Sequence, residues 1–132
     1  MNETRVKRNV ILEKSFKFSL MTISVCRVLK GSREYVLSDQ LLRFGTSIGA
    51  NVEESTAAQS KRDFIHKLSI ASKEARETRY WLKLLDKSQI VKYDYHELLR
   101  EIEEIIKIVT VIIKLSLVRT IMFNFKLLNS KL

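Results

Sequence analysis

Arg62, His66, Ser69, Lys73, Arg76, Tyr80, Lys83 and Lys87 recur at steps of three and four residues. At about 100° per residue this spacing places them on one arc of a single helix. The arc carries full positive charges, one titratable ring and one aromatic side chain, a combination suited to a polyanion. Cations displace the counterions of phosphates, and a Tyr or His can stack on an unpaired base. The plain alternative is a solvated helix face, with Glu74 and Glu77 beside it neutralising part of the field.

Other chemistries find less in the chain. A ferritin-like di-iron site needs two Glu and two Glu-x-x-His sets facing inward. The nearest approach is Asp63 with His66, which puts His66 on the basic arc, and His96 has Tyr93 three residues before it rather than a carboxylate. Glu53, Glu54 and Glu74 read as surface, cap or inter-helix ion partners. Cys26 lies in an apolar helical stretch beside Arg27, where a buried free thiol is the common outcome. No P-loop, G-x-G-x-x-G or H-E-x-x-H occurs. The expectation is a protein with no enzyme activity, no cofactor and no metal.

The elements that must carry the arc follow from composition. With 132 residues, three Gly and no Pro, the chain lacks the turn residues that a sandwich or barrel uses at short intervals. Length predicts one domain, and abundant Leu and Ile exclude disorder. Against 15 Asp and Glu stand 24 Lys and Arg, a net charge of +9 that favours nucleic acid or another polyanion as partner. Lys14 and Lys17 precede the uncharged run Phe18 to Cys26, yet Glu13 and the absence of an A-x-A-like site argue against a signal peptide. Ile105 to Val118 is interrupted by Lys107 and Lys114, too short a run for a membrane span. The expected location is therefore the cytoplasm, with no membrane partner.

Four helices are predicted. The first runs from about Val10 to Lys30, with Gly31 as a left-handed C-terminal cap. It bears two adjoining apolar stripes, one of Ile11, Phe18, Met21, Val25 and Val28 and another of Leu12, Phe16, Leu20 and Ile23, more than one core requires. The second, about 39 to 58, takes Ser38 as its cap and turns Leu41, Phe44, Ile48 and Val52 inward. Gly45 and Gly49 share one face of it and predict a close helix crossing. The third, about 61 to 87, opens at the cap Ser60 with Asp63 three residues on, a capping-box pattern. Its seam of Phe64, Leu68, Ala71, Ala75, Thr78, Leu82 and Leu85 follows a strict heptad, with Ala71 and Ala75 again allowing close packing. Ile70 and Trp81 lie to one side of this seam as candidate interface anchors. The fourth, about 94 to 117, turns Leu98, Ile102, Ile105, Val109 and Ile112 inward, with Leu99, Ile106 and Ile113 on a flank. The tail 118 to 132 reads as a helix extension, an exchanged arm or a frayed end. Short connections make neighbours antiparallel, so the fold class is all-α, an up-down-up-down four-helix bundle.

Residues 41 to 85, LLRFGTSIGANVEESTAAQSKRDFIHKLSIASKEARETRYWLKLL, resemble the 23S rRNA intervening sequence proteins, also called the S23 ribosomal protein family. The specific pieces are TSIGAN at Thr46 to Asn51, Glu54, SKRDFIHKLSIA, and KEARETRYWLKLL at Lys73 to Leu85. The resemblance implies a left-handed bundle that assembles into a homopentamer, encoded within insertions in 23S rRNA genes, and it implies no enzyme activity. A distant relative of the same architecture serves diversity-generating retroelements by binding reverse transcriptase and nucleic acid. The aromatic-rich tail after Leu117 departs from the family pattern.

Two functions are therefore expected of this chain. One is a basic homo-oligomer that binds RNA or DNA through Arg62, His66, Lys73, Arg76, Tyr80, Lys83 and Lys87. The other is a scaffold ring that presents Trp81 or the second helix to a partner enzyme such as a reverse transcriptase.

Overall fold

The computed structural model describes residues 3 to 131 and contains four helices, α1 (Glu3–Gly31), α2 (Tyr35–Ser55), α3 (Lys61–Ser88) and α4 (His96–Ser130), with no strand among the described residues. Each helix packs on its neighbour in sequence and α4 returns to α1, so the four surround one core. Phe18, Leu29, Leu41, Ile48, Leu68, Leu82, Ile102 and Ile105 are buried there. Each such side chain contributes roughly 1.5–3 kcal/mol on burial. Tyr95 is fully buried between α3 and α4 in sequence, and its hydroxyl donates to the Val91 carbonyl at 2.9 Å. None of the described helices is long and apolar enough to cross a membrane.

α1 begins at Glu3, seven residues before the expected start at Val10. Its buried seam runs Thr4, Ile11, Ser15, Phe18, Thr22, Val25 and Leu29, and so passes through hydroxyl residues that an apolar count omits. Ser15 and Thr22 donate to the carbonyls of Leu12 and Phe18, at 3.3 and 2.9 Å, and so sit in the core without orphaned donors. At the other end Gly31 remains helical. The left-handed residue is Arg33, at φ 63°. Arg33 N–H donates to Lys30 O and Glu34 N–H to Leu29 O, both at 2.9 Å, the paired bonds of a Schellman closure two residues later than expected.

Ser38 does not cap α2, which starts at Tyr35. Its side chain is buried and donates to the Cys26 carbonyl at 3.2 Å, stitching α2 to α1. α2 ends at Ser55, short of the expected 58. At α3 the expected cap is present: Ser60 Oγ accepts from the Asp63 N–H at 3.1 Å. Asp63 Oδ2 reciprocates to the Gln59 N–H at 3.3 Å, one residue earlier than a capping box would have it. α3 stops at Gln89, whose left-handed backbone (φ 46°) ends the helix. Asp94 lies just outside α4 and accepts from the His96 N–H at 3.0 Å. α4 continues through Ser130, so the tail is a helix extension; Leu132 lies outside the described residues.

The two helical glycines mark where α2 meets α1. A Cβ at Gly45 would stand 2.7 Å from Thr22 Cγ2 and Oγ1, and one at Gly49 would stand 3.2 Å from the Ser15 carbonyl oxygen. Ala71 and Ala75 are fully buried on α3.

Candidate nucleic-acid interface

α3 positions the basic arc by burying its opposite face. Leu68, Ala71, Ala75, Thr78, Leu82 and Leu85 turn into the core, which leaves Arg62, His66, Ser69, Lys73, Arg76, Tyr80, Lys83 and Lys87 exposed along the outside. From Arg62 to Lys87 the row spans about 37 Å at 1.5 Å per residue. This is close to one turn of duplex DNA, roughly 34–36 Å.

Beyond Lys61 at its first position, the cations of α3 divide by position. Those on the flanks are engaged with neighbouring helices: Lys67 Nζ pairs with Glu54 on α2 at 3.1 Å, and Arg79 donates to Glu103 on α4 at 2.9 Å. The outward cations Arg62, Lys73, Arg76, Lys83 and Lys87 stand in no ion pair with a described carboxylate. Glu74 and Glu77 are half-buried and form no ion pair with the row. Ser69 has its hydroxyl committed to the Ile65 carbonyl at 2.8 Å. The Tyr80 ring is 59% exposed and meets Trp81 edge-on, with centroids 5.8 Å apart, which leaves a face open to a planar ligand. Trp81 is half-buried and packed against the core, and Ile70 is half-buried three turns earlier on the same helix.

A second basic region lies where α3 begins, and the sequence pattern does not reveal it. Arg8, Lys61 and Arg119, from three different helices, line a polar cleft of about 260 Å³ with Thr56 and Ser60. Arg5 joins Arg8 and Arg119 in the adjoining cleft. The Arg8 guanidinium is held 4.7 Å above the Phe64 ring. Arg5 and Arg8 escape a reading that starts the first helix at Val10. The signal that could find them is the surplus of positive charge before that residue.

The remaining candidates for chemistry are tied up structurally. The Cys26 thiol is buried, donates toward the Ser38 carbonyl at 3.4 Å, and has its pKa pushed up by burial, which disfavours the reactive thiolate. Asp63 is engaged at the α3 cap while His66 stands exposed on the arc. No group of three metal-ligating side chains occurs among the described residues. His96 is exposed and its Nδ1 lies 2.8 Å from Asp94. Hydrogen bonds from the His96 backbone and ring hold the Asp94 carboxyl below the usual carboxylate range.

Residues 7–111 match the family model described as 23S rRNA-intervening sequence protein. Among solved structures, the chain is similar to a protein of unknown function from the S23 ribosomal protein family of Bacteroides thetaiotaomicron. The two share 44% identity with a TM-score of 0.77, over 82% of this chain and 98% of that one. No curated protein matches the chain. Family model and solved structure agree with the helices on which the basic arc is built, and the chain belongs to the 23S rRNA-intervening sequence protein family.

Proposed function

We propose that the protein is a non-enzymatic, cytoplasmic, basic homo-oligomer that binds RNA or DNA through the outer face of α3. Arg62, Lys73, Arg76, Lys83 and Lys87 supply phosphate contacts, and Tyr80 and His66 supply stacking surfaces. The observation that carries this reading is the division of cations on α3, with the flanking ones paired and the outward ones without carboxylate partners. A surface evolved only for solubility gains nothing from keeping one sign along seven turns of helix. The clefts at Arg5, Arg8, Lys61 and Arg119 continue the positive field past Arg62.

The bundle is proposed to be antiparallel throughout, and left-handed as the family resemblance implies. Gly45 and Gly49 approach Thr22 and Ser15 in opposite chain order, and Lys14 meets Glu101 and Glu104 while the earlier Thr4 and Arg8 share a cleft with the later Ser116 and Arg119, as in counter-running helices. Self-association is supported by Phe16, Leu20 and Ile23, a stripe on the side of α1 away from the core that is 43–68% exposed. Exposed apolar patches rimmed by polar residues mark contact surfaces. The resemblance points to a pentamer.

Replacing Arg76 and Lys83 together by Glu tests the reading. Binding to structured RNA and to duplex DNA should be lost while helicity and melting temperature hold, because both side chains are exposed and unpaired. Undiminished binding would remove α3 from the account. The scaffold reading is favoured by a separate observation, Tyr35 and Val36 at the start of α2 being 57% and 74% exposed. It predicts a protein contact that changes little with salt.

A further inference from the structure

α4 carries a second seam that its own chain leaves uncovered. Val111, Val118, Ile121, Phe125 and Leu128 occupy the a and d positions of a heptad, with Lys114 filling the one remaining place. The five apolar members are 38–66% exposed. They lie on the side of α4 away from its buried stripe of Ile105, Val109, Ile112 and Ser116, so no repacking within the bundle could cover them. From Ile121 to Ser130 every residue is exposed, although the segment is helical. A solvated helix of this length has no packing to offset its conformational entropy, and isolated helices so short are marginal in water.

We propose that the outer seam of α4 is covered by the same seam of a second copy of the chain, as a coiled coil joining the C-terminal turns of α4. Three observations select that occupant. The alternating steps of three and four describe a helix as the partner, since knobs at a and d fit holes only on another helix. The positions flanking the seam, Leu115, Leu117, Met122, Asn124 and Asn129, carry no charge until Lys131 just past the last helical turn, and Arg119 and Lys126 point away from it. Two copies of a chain at +9 can therefore bring these faces together where the α3 faces would repel. Finally, Leu117, Val118, Ile121, Met122, Phe125 and Leu128 together expose on the order of 600 Å² per copy, approaching the roughly 800 Å² per partner of a stable interface. Lys114 is the single charge in the seam, and the repulsion of two such ammonium groups favours a register that keeps them apart.

The family match ends at residue 111, where the seam begins, so this contact belongs to the part of the chain outside the family pattern. The inference rests on the self-association proposed above and adds to the α1 stripe a pairwise contact, which in an odd-numbered ring joins copies of different rings. Light scattering on the full chain and on an Ile121→Asp, Phe125→Asp double variant tests it, with circular dichroism to confirm that the bundle persists. A Phe125→Cys variant treated with a short bismaleimide adds a direct readout of contact, since Cys26 is buried. The expected result is a smaller assembly for the Asp variant and a covalent dimer for the Cys variant. An Asp variant that keeps the wild-type mass overturns the seam while leaving the α1 surface standing. A wild-type chain that is monomeric overturns both, as does a monomer that binds anionic vesicles through this helix.

Discussion

A methyl group added at Gly45 would meet Thr22 at 2.7 Å, and Thr22 is poorly placed to yield. It is buried, β-branched, and tied through its hydroxyl to the Phe18 carbonyl. Overpacking of this kind costs about 1–3 kcal/mol, against about 1 kcal/mol gained by replacing a helical Gly with Ala. Gly45→Ala should therefore lower unfolding stability by up to about 2 kcal/mol net. Adding Thr22→Ala should recover most of it in a denaturant titration; additive losses would place the glycine's role elsewhere. Gly49→Ala meets only contacts of 3.1 Å and longer and should cost less.

Lys14 is the other single residue on which much depends. It reaches Glu104 at 2.6 Å and Glu101 at 3.2 Å, and Glu101 is almost buried. The hydrogen bond to Lys14 holds the Glu104 carboxyl below its usual range. Its stabilising effect is present above the ordinary carboxylate pKa and is lost as pH falls through the lowered one. The Lys14 ammonium is pushed up, chiefly by its bond to Glu104 and against the opposing effect of burial. That contribution is whole below the ordinary lysine range and is lost only as pH rises through the raised value. Lys14→Met should flatten the acid limb of the stability–pH curve. It should also remove about 1–2 kcal/mol at neutral pH, because Glu101 loses its cation. An unchanged acid limb, measured by thermal melts from pH 7 downward, would contradict this.

Among the elements, α3 was the most legible in sequence and α4 the least. The α3 seam is apolar or small at nearly every inward position and starts at a Ser cap whose bond is formed, so period and punctuation agree. Ser60→Ala should cost about 1 kcal/mol. An apolar count reads α1 short because its seam passes through Thr4, Ser15 and Thr22, and places the start of α2 late because a Ser before an apolar run looks like a cap even when burial draws it into the core. The length of α4 was hidden because its last turns are apolar on several sides and their partner is not in the chain. The basic arc was legible because all its members lie on one helix. The clefts at Arg8, Lys61 and Arg119 were not, because three helices assemble them. The division of cations on α3 gives a prediction at this scale. Arg79→Gln, which breaks the pair with Glu103, should lower stability by under about 1 kcal/mol and leave nucleic-acid affinity within a factor of two. A loss of binding as large as that from Arg76→Glu would mean that the two faces are not functionally separate.

For the whole molecule, the central claim is that an assembled, strongly basic bundle holds phosphates along α3. Counterion release gives the claim a number. If Arg62, Lys73, Arg76, Lys83 and Lys87 of one copy engage phosphates, the logarithm of the binding constant should fall linearly with the logarithm of salt concentration. The slope should be about −3.5 on single strands and about −4.5 on duplex DNA, steeper if neighbouring copies share one nucleic acid. The most direct measurement is this salt titration on fluorescent structured RNA and duplex DNA, with light scattering on the same sample to confirm the assembly. A log-linear fall of that steepness is the predicted result. No binding at low salt from an intact assembly, or binding indifferent to salt, would contradict the account and favour a scaffold that meets its partner through apolar contacts.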